Sequence, residues 1–428
     1  MTHIAELCAG ASGAPLIKGW CPGALQPMQS GDGLLMRPKI LGSRLTLAQA
    51  EEIAGVSRDC GNGRIDVSQR AQMQLRGLSD KCYAPALMRL ACAGLTAPDM
   101  GMEAALNILS SPLPGEADAL VKSLAQAFAR DTTLRSLPSK FLFLADDAGP
   151  GLADVVADIR LEIGEGEVRL VAEGARNVAV RLAVGEAAEA AMALARAFIR
   201  LRSEAPFARR RMRALIAELG ADVVFREAGL EADQHRNPRP PAKSVTLIGA
   251  GAIGDLWLAG LGVPYARLDA TQLSRLVVVA EDCGATELRI SPWRMILVPL
   301  PSQADAEQMV RAAGELGFIV DAEDPRLALL ACSGAPECPQ ALGATRERLD
   351  ELAPLAARLA HDGVGLHVSG CAKSCARPAA SPATLVARGE GFFDLVFDGG
   401  AGAQPSVRGL GLDAAMRLLA ERAEGLGR

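Results

Sequence analysis

The sequence predicts an internally duplicated α+β fold, in which two small half-units pair into one pseudo-twofold domain and an α/β domain follows each half-unit. Three observations favour this fold. A strand–helix–strand pattern fills the segment before residue 78, the same pattern returns 223 residues later, and a group of spaced cysteines occurs in the second half. A chain of 428 residues is also too long for one ordinary core, so several domains are expected.

The first half-unit opens with a short strand that ends in two cations, Arg37 and Lys39. Thr46 is followed three residues later by Gln49, and this capping-box pattern predicts that a helix begins there. Residues 59–63 contain an Asp, an Asn and two glycines, which predicts that the helix ends in a turn. The residues after the turn alternate between apolar and polar, as in a strand. This segment is therefore half of a small α+β unit.

A second copy of the half-unit is found by a shift of 223 residues. The shift places Cys60 on Cys283 and Gln49 on Gln272, with further matches at residues 31–32, 44–45, 59, 61 and 68 and no gap. A single match of this kind could arise by chance, but an ungapped series across one strand–helix–strand unit indicates duplication.

The two copies differ in their chemistry. Arg37 and Lys39 align with Gly260 and Gly262, so the first copy carries positive charge where the second has none. The second half carries cysteines whose spacing the first half does not repeat. This asymmetry predicts one site between the halves, with anion-binding residues on one side and a redox metal centre on the other, because cofactor sites often lie at domain interfaces.

The expected domain boundaries follow from these patterns and from a polar, proline-rich linker. We expect a first half-unit at residues 20–78, a first α/β domain without cluster cysteines at 79–225, a linker at 226–244, a second half-unit at 245–301 and a second α/β domain at 302–428.

Four cysteines in the second half form a C-x5-C pair and a C-x3-C pair, embedded in small, turn-forming residues. They are Cys332, Cys338, Cys371 and Cys375. Four convergent thiolates are the usual ligands of an iron–sulfur cluster, so we predict a [4Fe-4S] cluster as metal and cofactor. Structural zinc is an alternative, although its cysteine pairs are usually two to four residues apart. A second alternative is four unrelated buried thiols.

Composition excludes several classes of partner. Half of the residues are apolar and the net charge is −5, which gives no long-range attraction for nucleic acid. No charge-free apolar run is as long as a membrane span. Residues 1–6 have neither a basic nor an apolar signal segment, so we expect a cytoplasmic protein without a membrane partner.

Three further features favour ordinary interpretations. Residues 249–254 match G-x-G-x-x-G, but Asp269 comes too early for the acidic residue of a dinucleotide site. The basic run at 196–213 is typical of a solvated helix face, with substrate carboxylates or an electron donor as alternatives. His367 precedes Cys371 and is more typical of a packed strand residue than of an iron ligand.

Three segments resemble motifs of the sulfite and nitrite reductase hemoprotein family. Residues 68–77, Ser-Gln-Arg-Ala-Gln-Met-Gln-Leu-Arg-Gly, are similar to its T-x-R-Q-x-x-Q-x-R/H-G stretch. Residues 137–141 are similar to its L-P-R-K-F segment and residues 107–112 to its asparagine turn. The resemblance covers nearly the whole chain and implies ferredoxin-like half-units. It also implies a cluster that is joined to siroheme through the thiolate of Cys375.

The resemblance also implies a set of residues around a tetrapyrrole and its carboxylates. These substrate-binding candidates are Arg37, Lys39, Arg70, Gln74, Arg76, Asn107 and Lys140. A polycarboxylate macrocycle needs several charge-assisted partners, and the guanidinium group supplies two parallel donors.

The chain departs from the reductase motifs at three positions. Leu106 and Leu142 stand where the family has cations of the sulfite or nitrite pocket, and Lys373 replaces an asparagine between the last two cysteines. Losing two cations should weaken the reduction of a small anion, because the negative charge that develops on its oxygens is not neutralised.

Residues 21–35 and 366–376 resemble the precorrin-3B synthase branch of this family. That resemblance implies a monooxygenase in which precorrin-3A, O2 and an external electron donor give precorrin-3B, hydroxylated at C20 with lactone formation. The tetrapyrrole would then be the substrate, and a mononuclear non-heme iron would be a second metal; the residues that bind this iron and the catalytic residues stay undefined. Two alternatives are an assimilatory sulfite or nitrite reductase with siroheme and a non-catalytic iron–sulfur carrier or sensor.

Overall fold

The computed structural model describes residues 20–147, 152, 155–164, 166–203, 209–234, 247–361, 363–389 and 391–426. Residues 1–6, where we expect no export signal, and the proline-rich residues 235–243 of the expected linker lie outside the described residues. Across the described ranges, no helix has both the length and the apolar character needed to cross a membrane.

The first half-unit contains an antiparallel sheet and two helices. Its elements are β1 Met28–Ser30, β2 Gly33–Met36, β3 Arg44–Thr46, α1 Leu47–Cys60, β4 Arg64–Val67, β5 Met73–Leu78 and α2 Asp80–Cys92. The predicted capping box is present, because the Thr46 hydroxyl accepts from the Gln49 N–H at 3.2 Å and the Gln49 side chain accepts from the Thr46 N–H at 3.1 Å. Both bonds satisfy N–H groups that the first helical turn leaves free.

The first α/β domain follows with α3 and a mixed sheet that packs against helices. Its elements are α3 Met100–Ala105, β6 Ile108–Ser110, α4 Glu116–Arg130, β7 Phe143–Asp146, β8 Ile159–Ile163, β9 Glu167–Ala172, β10 Val178–Ala183, α5 Ala187–Arg202, α6 Met212–Leu219, α7 Ala221–Glu227 and β11 Asp233–Gln234. The strand order is β11-β10-β9-β8-β7-β6. Buried aromatic side chains, among them Phe141, Phe143 and Phe198, fill the space between sheet and helices.

The second half-unit repeats the first. Its elements are β12 Gly249–Ile253, β13 Leu256–Gly262, β14 Arg267–Asp269, α8 Ala270–Asp282, β15 Glu287–Ile290, β16 Met295–Leu300 and α9 Gln303–Glu315. The capping box also recurs, since Asp269 and Gln272 cap α8 as Thr46 and Gln49 cap α1. The predicted duplication is therefore confirmed at the level of helix capping.

The two half-units exchange a strand. Strand β3 of the first half-unit pairs with β15, and β14 of the second half-unit pairs with β4. The resulting sheets have the orders β1-β2-β5-β4-β14 and β12-β13-β16-β15-β3. Helices α1 and α8 pack on each other, and one apolar core includes Ile53 and Leu75 together with Leu276 and Ile296. Neither half-unit therefore completes its sheet or its core alone.

The second α/β domain repeats the sheet pattern of the first. Its elements are β17 Leu329–Ala331, α10 Leu349–Leu359, β18 Leu366–Ser369, β19 Ser381–Gly389, β20 Phe392–Gly399, β21 Val407–Gly411 and α11 Leu412–Leu426. Strands β17, β18 and β19 are parallel, and β19, β20 and β21 are antiparallel. The cysteine loops begin just after β17 and β18. Because parallel neighbours end at the same sheet edge, both loops start side by side.

The structure also places the glycine motif at 249–254 and the arginines of the basic run at 196–213. The glycine motif at 249–254 forms the β12–β13 hairpin, in which Gly254 has φ of +59°, whereas a dinucleotide fingerprint joins a strand to a helix. The sequence favours a solvated face for the basic run, but Arg196, Arg209 and Arg211 each form an ion pair with a carboxylate. Arg209 is buried, whereas Arg200, Arg210 and Arg213 are exposed, so the run is solvated in part.

Candidate functional site

A small cavity that opens to solvent lies between the first half-unit and the first α/β domain. Four of the predicted substrate-binding residues line it: Arg37, Lys39, Arg70 and Asn107. The other lining residues are Cys21, Pro22, Gly23, Gln26, Pro38, Ile40, Leu41, Gln72, Met100, Glu103, Ala104, Leu106, Ile108, Ser139 and Leu142. The fold thus brings together cations that lie far apart along the chain.

Arg37 and Arg70 each bring a positive charge to this cavity. The Arg37 Nε atom is shielded from solvent and has no hydrogen-bond partner among the described residues. Arg70 donates from Nη2 to the Lys140 carbonyl at 3.1 Å. Burial lowers the pKa of both arginines, and the neighbouring charge of Arg37 lowers that of Arg70 further. A lowered pKa means that their charge is poorly compensated by the protein, which favours an anionic ligand.

Lys39 contributes a third cation. Its Nζ donates to the backbone carbonyls of Glu103, at 2.9 Å, and of Leu106, both near the end of α3. Burial lowers the pKa of Lys39 to about 8, against the attraction of the Glu103 carboxylate. The amine is thus charged at neutral pH but titrates within reach of ordinary buffers.

Glu103 shapes one wall of the cavity, and sequence reasoning missed it. Its buried carboxylate accepts hydrogen bonds from the N–H groups of Ala24 at 2.9 Å and Leu25 at 3.0 Å, and a weaker one from Gln26 at 3.3 Å. A Cβ on Gly23 would lie 2.0 Å from Glu103 Oε2, so the loop approaches this carboxylate closely. No sequence motif identifies this contact, because the partners are almost eighty residues apart.

Another wall of the cavity is apolar. Leu106 and Leu142 are both nearly buried and face the cavity at the positions where the reductase motifs carry cations. Asn107 donates from Nδ2 to the carbonyls of Ser139 and Phe141, each at 3.2 Å, and so fixes this wall. The amide of Asn107 therefore supports the cavity through backbone contacts.

The structure does not bring Gln74, Arg76 or Lys140 to the cavity lining. Gln74 lies on β5 opposite Asp66, and the Lys140 side chain is exposed while its carbonyl accepts from Arg70. None of these three side chains therefore lines the cavity.

Arg76 differs most from its expected role. Its guanidinium is 2% exposed and bonds to both Asp32 oxygens at 3.0 Å, to the Ser333 hydroxyl at 3.3 Å and to the Glu337 carbonyl at 3.2 Å. A further contact of 3.4 Å joins it to Asp66. Because its N–H groups already have protein acceptors, Arg76 does not fit the expected role of binding a tetrapyrrole carboxylate.

The two cysteine loops pack against each other. The Gly370 N–H donates to Cys332 Sγ at 3.1 Å, and Thr345 Oγ1 lies 3.9 Å from the same sulfur. A Cβ on Gly370 would lie 3.4 Å from the Gly334 Cα and 2.6 Å from the Ala341 Cβ. Glycines let the backbone approach closely here, and amide N–H groups directed at thiolate sulfur are typical of iron–sulfur sites.

The four thiols share one electrostatic environment. Burial raises the pKa of Cys371 and of Cys375, and the thiols of Cys332 and Cys338 raise both further. Within the described ranges, no three His, Cys, Asp or Glu side chains lie close enough to hold a single ion. Four thiolates of an iron–sulfur cluster bind different irons, so the choice between cluster and zinc stays a prediction from the cysteine spacing.

A second group of cations lies beside the cysteine loops: Arg294, Arg346 and Arg377. The Ala376 carbonyl accepts from Arg294 Nη2 and from the Gln69 side chain, so turns of both half-units meet at the residue after Cys375. Burial, together with the neighbouring charges of Arg377 and Arg346, lowers the pKa of Arg294 to about 10. These arginines were missed because nothing in their local sequence marks them.

His367 occupies the packed strand position that the sequence favours. It lies on β18, is fully buried, and neither ring nitrogen has a hydrogen-bond partner among the described residues. Burial, together with the charges of Arg294 and Arg377, lowers its pKa to about 4, so the ring is neutral near pH 7.

The amino-acid sequence is similar to proteins of known family. Residues 26–91 and 253–316 each match the model of the nitrite/sulfite reductase ferredoxin-like half domain. A precorrin-3B synthase from Sinorhizobium sp. is 31% identical over 95% of this chain and 90% of its own length. A ferredoxin-dependent sulfite reductase from Mycolicibacterium paratuberculosis is 23% identical over 80% of this chain and 68% of its own.

The fold has a solved counterpart in the Mycobacterium tuberculosis NirA protein. The TM-score is 0.71 at 20% sequence identity, covering 91% of this chain and 81% of NirA. Together with the two half-domain matches, this confirms the predicted α+β fold with duplicated ferredoxin-like half-units.

Proposed function

Because this chain belongs to the family that contains precorrin-3B synthase and the nitrite and sulfite reductases, we propose that it is an iron–sulfur oxidoreductase acting on a tetrapyrrole. More narrowly, we propose that it converts precorrin-3A to precorrin-3B with O2 and an external electron donor. The observation that carries this proposal is the cavity in which Arg37, Lys39 and Arg70 face an apolar wall of Leu106 and Leu142.

The cations are suited to a large polycarboxylate rather than to a small oxyanion. Arg37 and Arg70 would hold carboxylates at the first half-unit, and Arg294 and Arg377 would hold carboxylates beside Cys375. Guanidinium groups bind carboxylates through two parallel hydrogen bonds, which fixes orientation as well as affinity. A substrate held at both edges would be kept in one position over the cysteine loops.

The apolar wall supports the choice of O2 as oxidant. Leu106 and Leu142 exclude water and offer no donor to the oxygens of sulfite or nitrite. In a monooxygenation one oxygen atom enters the substrate and the other leaves as water, so two electrons and two protons must be supplied. Lys39, with a pKa of about 8, is placed to hold a proton at the cavity edge.

The four cysteines, Cys332, Cys338, Cys371 and Cys375, would hold a [4Fe-4S] cluster, which supplies single electrons when bound. The chain's own contribution is to direct the Gly370 N–H at the Cys332 sulfur and to keep both loops closely packed. Such hydrogen bonds to sulfur tune the potential of a cluster.

The decisive experiment is anaerobic purification and cluster reconstitution, followed by precorrin-3A, O2 and a reduced donor. We expect a product heavier by one oxygen atom, with the label from ¹⁸O2. Leu142→Lys should reduce this activity, while the control Val278→Lys, at an exposed valine of α8, should not.

A sulfite or nitrite reductase is the second candidate, because the half-domain match and the sulfite reductase relative fit it equally. It predicts the intense visible bands of siroheme and turnover of sulfite or nitrite. That turnover, without oxygenation of precorrin-3A, would overturn our proposal. A carrier or sensor predicts a cluster but no tetrapyrrole binding.

A further inference from the structure

Glu337, the residue before Cys338, is held by residues outside its own domain through both its carbonyl and its carboxylate. We propose that Glu337, Arg76 and Arg267 form a positioning clamp that makes cluster binding depend on the pairing of the two half-units. The inference rests on the proposed iron–sulfur site and assigns Arg76 a role in place of substrate binding.

The carbonyl side of the clamp is built by the β1–β2 turn. The Glu337 carbonyl accepts from the Gly31 N–H at 2.8 Å, from the Ser30 hydroxyl at 2.5 Å and from Arg76 Nη2 at 3.2 Å. A Cβ on Gly31 would lie 1.8 Å from the Pro336 carbonyl oxygen. The cysteine loop thus rests on this turn so closely that any side chain at position 31 would push it away.

The carboxylate side of the clamp is buried and multiply paired. Glu337 receives two parallel hydrogen bonds from Arg267, at 2.6 and 2.8 Å, and its side chain is 7% exposed. Arg76 Nε lies 3.4 Å from the same carboxylate, and Arg64 also donates to it. Bidentate charge-assisted pairs are strong, and removal of the carboxylate would leave buried arginines without this partner.

The two arginines come from different half-units. Arg76 lies on β5 of the first, whereas Arg267 lies on β14, the strand that the second half-unit donates to the first sheet. Asp66 on β4 joins them, accepting from Arg267 at 2.6 Å and from Arg76 at 3.4 Å. The clamp therefore exists only where the strand exchange has formed.

Cluster binding and half-unit pairing should stabilise each other, because thermodynamic linkage is reciprocal. If half-unit pairing positions the cysteine loop, then a bound cluster must stabilise the pairing by the same coupling free energy. The first half-unit, which contributes no cysteine to the cluster, would thus take part in holding it.

The test uses the full chain, reconstituted anaerobically, with the rate of cluster loss to an iron chelator followed by absorbance. We expect Glu337→Gln and Gly31→Ala to lose the cluster about tenfold faster than the unchanged chain, and Glu337→Asp to recover part of the difference. Glu351→Gln is the matched control, because Glu351 pairs with Arg348 on the surface of the same domain. In the unchanged chain the cluster should raise the unfolding temperature, and in Glu337→Gln this increase should shrink.

The outcomes separate the clamp from the proposed function. If the unchanged chain binds no cluster, the iron–sulfur proposal fails. If it binds one and the variants release it at the unchanged rate, the clamp is wrong. Circular dichroism shows whether Glu337→Gln folds. If it does not, the rate of cluster loss from Gly31→Ala, which retains every charge, tests the clamp.

Discussion

Replacing Arg37 by Gln should weaken tetrapyrrole binding without destabilising the protein. The side chain is partly buried, its Nε has no partner among the described residues, and folding lowers its pKa. A group whose pKa is lowered on folding binds its proton less tightly in the folded state, so the charged form costs stability. Removing this charge should therefore leave the free energy of unfolding unchanged or raise it slightly.

The affinity for a tetrapyrrole, unlike the stability, should fall in Arg37→Gln. A hydrogen bond between charged groups contributes about 1.5–3 kcal/mol. Since about 1.4 kcal/mol corresponds to a factor of ten, Arg37→Gln should raise the Kd about ten- to a hundredfold. This combination of lost affinity and retained stability distinguishes a ligand-binding arginine from a structural one.

The assay is a fluorescence titration with a stable polycarboxylate porphyrin, paired with thermal unfolding of the same samples. Arg408→Gln is the control, because this arginine is 64% exposed and lies on β21, outside the cavity lining. Equal porphyrin affinity in Arg37→Gln and the unchanged chain would refute the reasoning. So would a loss of stability that matches the loss of affinity.

Three further predictions concern other parts of the site. Porphyrin affinity should fall as pH rises through about 8, where Lys39 loses its charge, and Lys39→Gln should flatten this dependence. Glu103→Gln should lower the free energy of unfolding by about 1–3 kcal/mol, because one of the two oxygens that accept from the N–H groups of the 24–26 loop becomes an NH2 donor facing them; denaturant titration measures this. Cys371→Ser should abolish stable cluster binding, read as iron and sulfide content, while porphyrin affinity of the cluster-free protein stays unchanged.

Features with local causes could be predicted from the sequence. The capping boxes at Thr46 and Asp269 are set by residues three apart, and the structure contains both. The duplication was visible because equal patterns return at one fixed shift. Arg70 was found through motif resemblance, which depends on a short segment alone, and Arg37 was found because the second copy has a glycine at the matching position.

The tertiary structure decided which groups become partners. The strand exchange between half-units depends on sheet edges that meet only after folding, and no local pattern encodes it. Arg76 looked like a ligand-binding residue because its motif is cationic, yet its acceptors on Asp32 and Glu337 lie 44 and 261 residues away. Turn and helix signals act over a few residues, so the sequence determined them by itself. The pairing of buried charges depends on distances in space, which only the assembled fold sets.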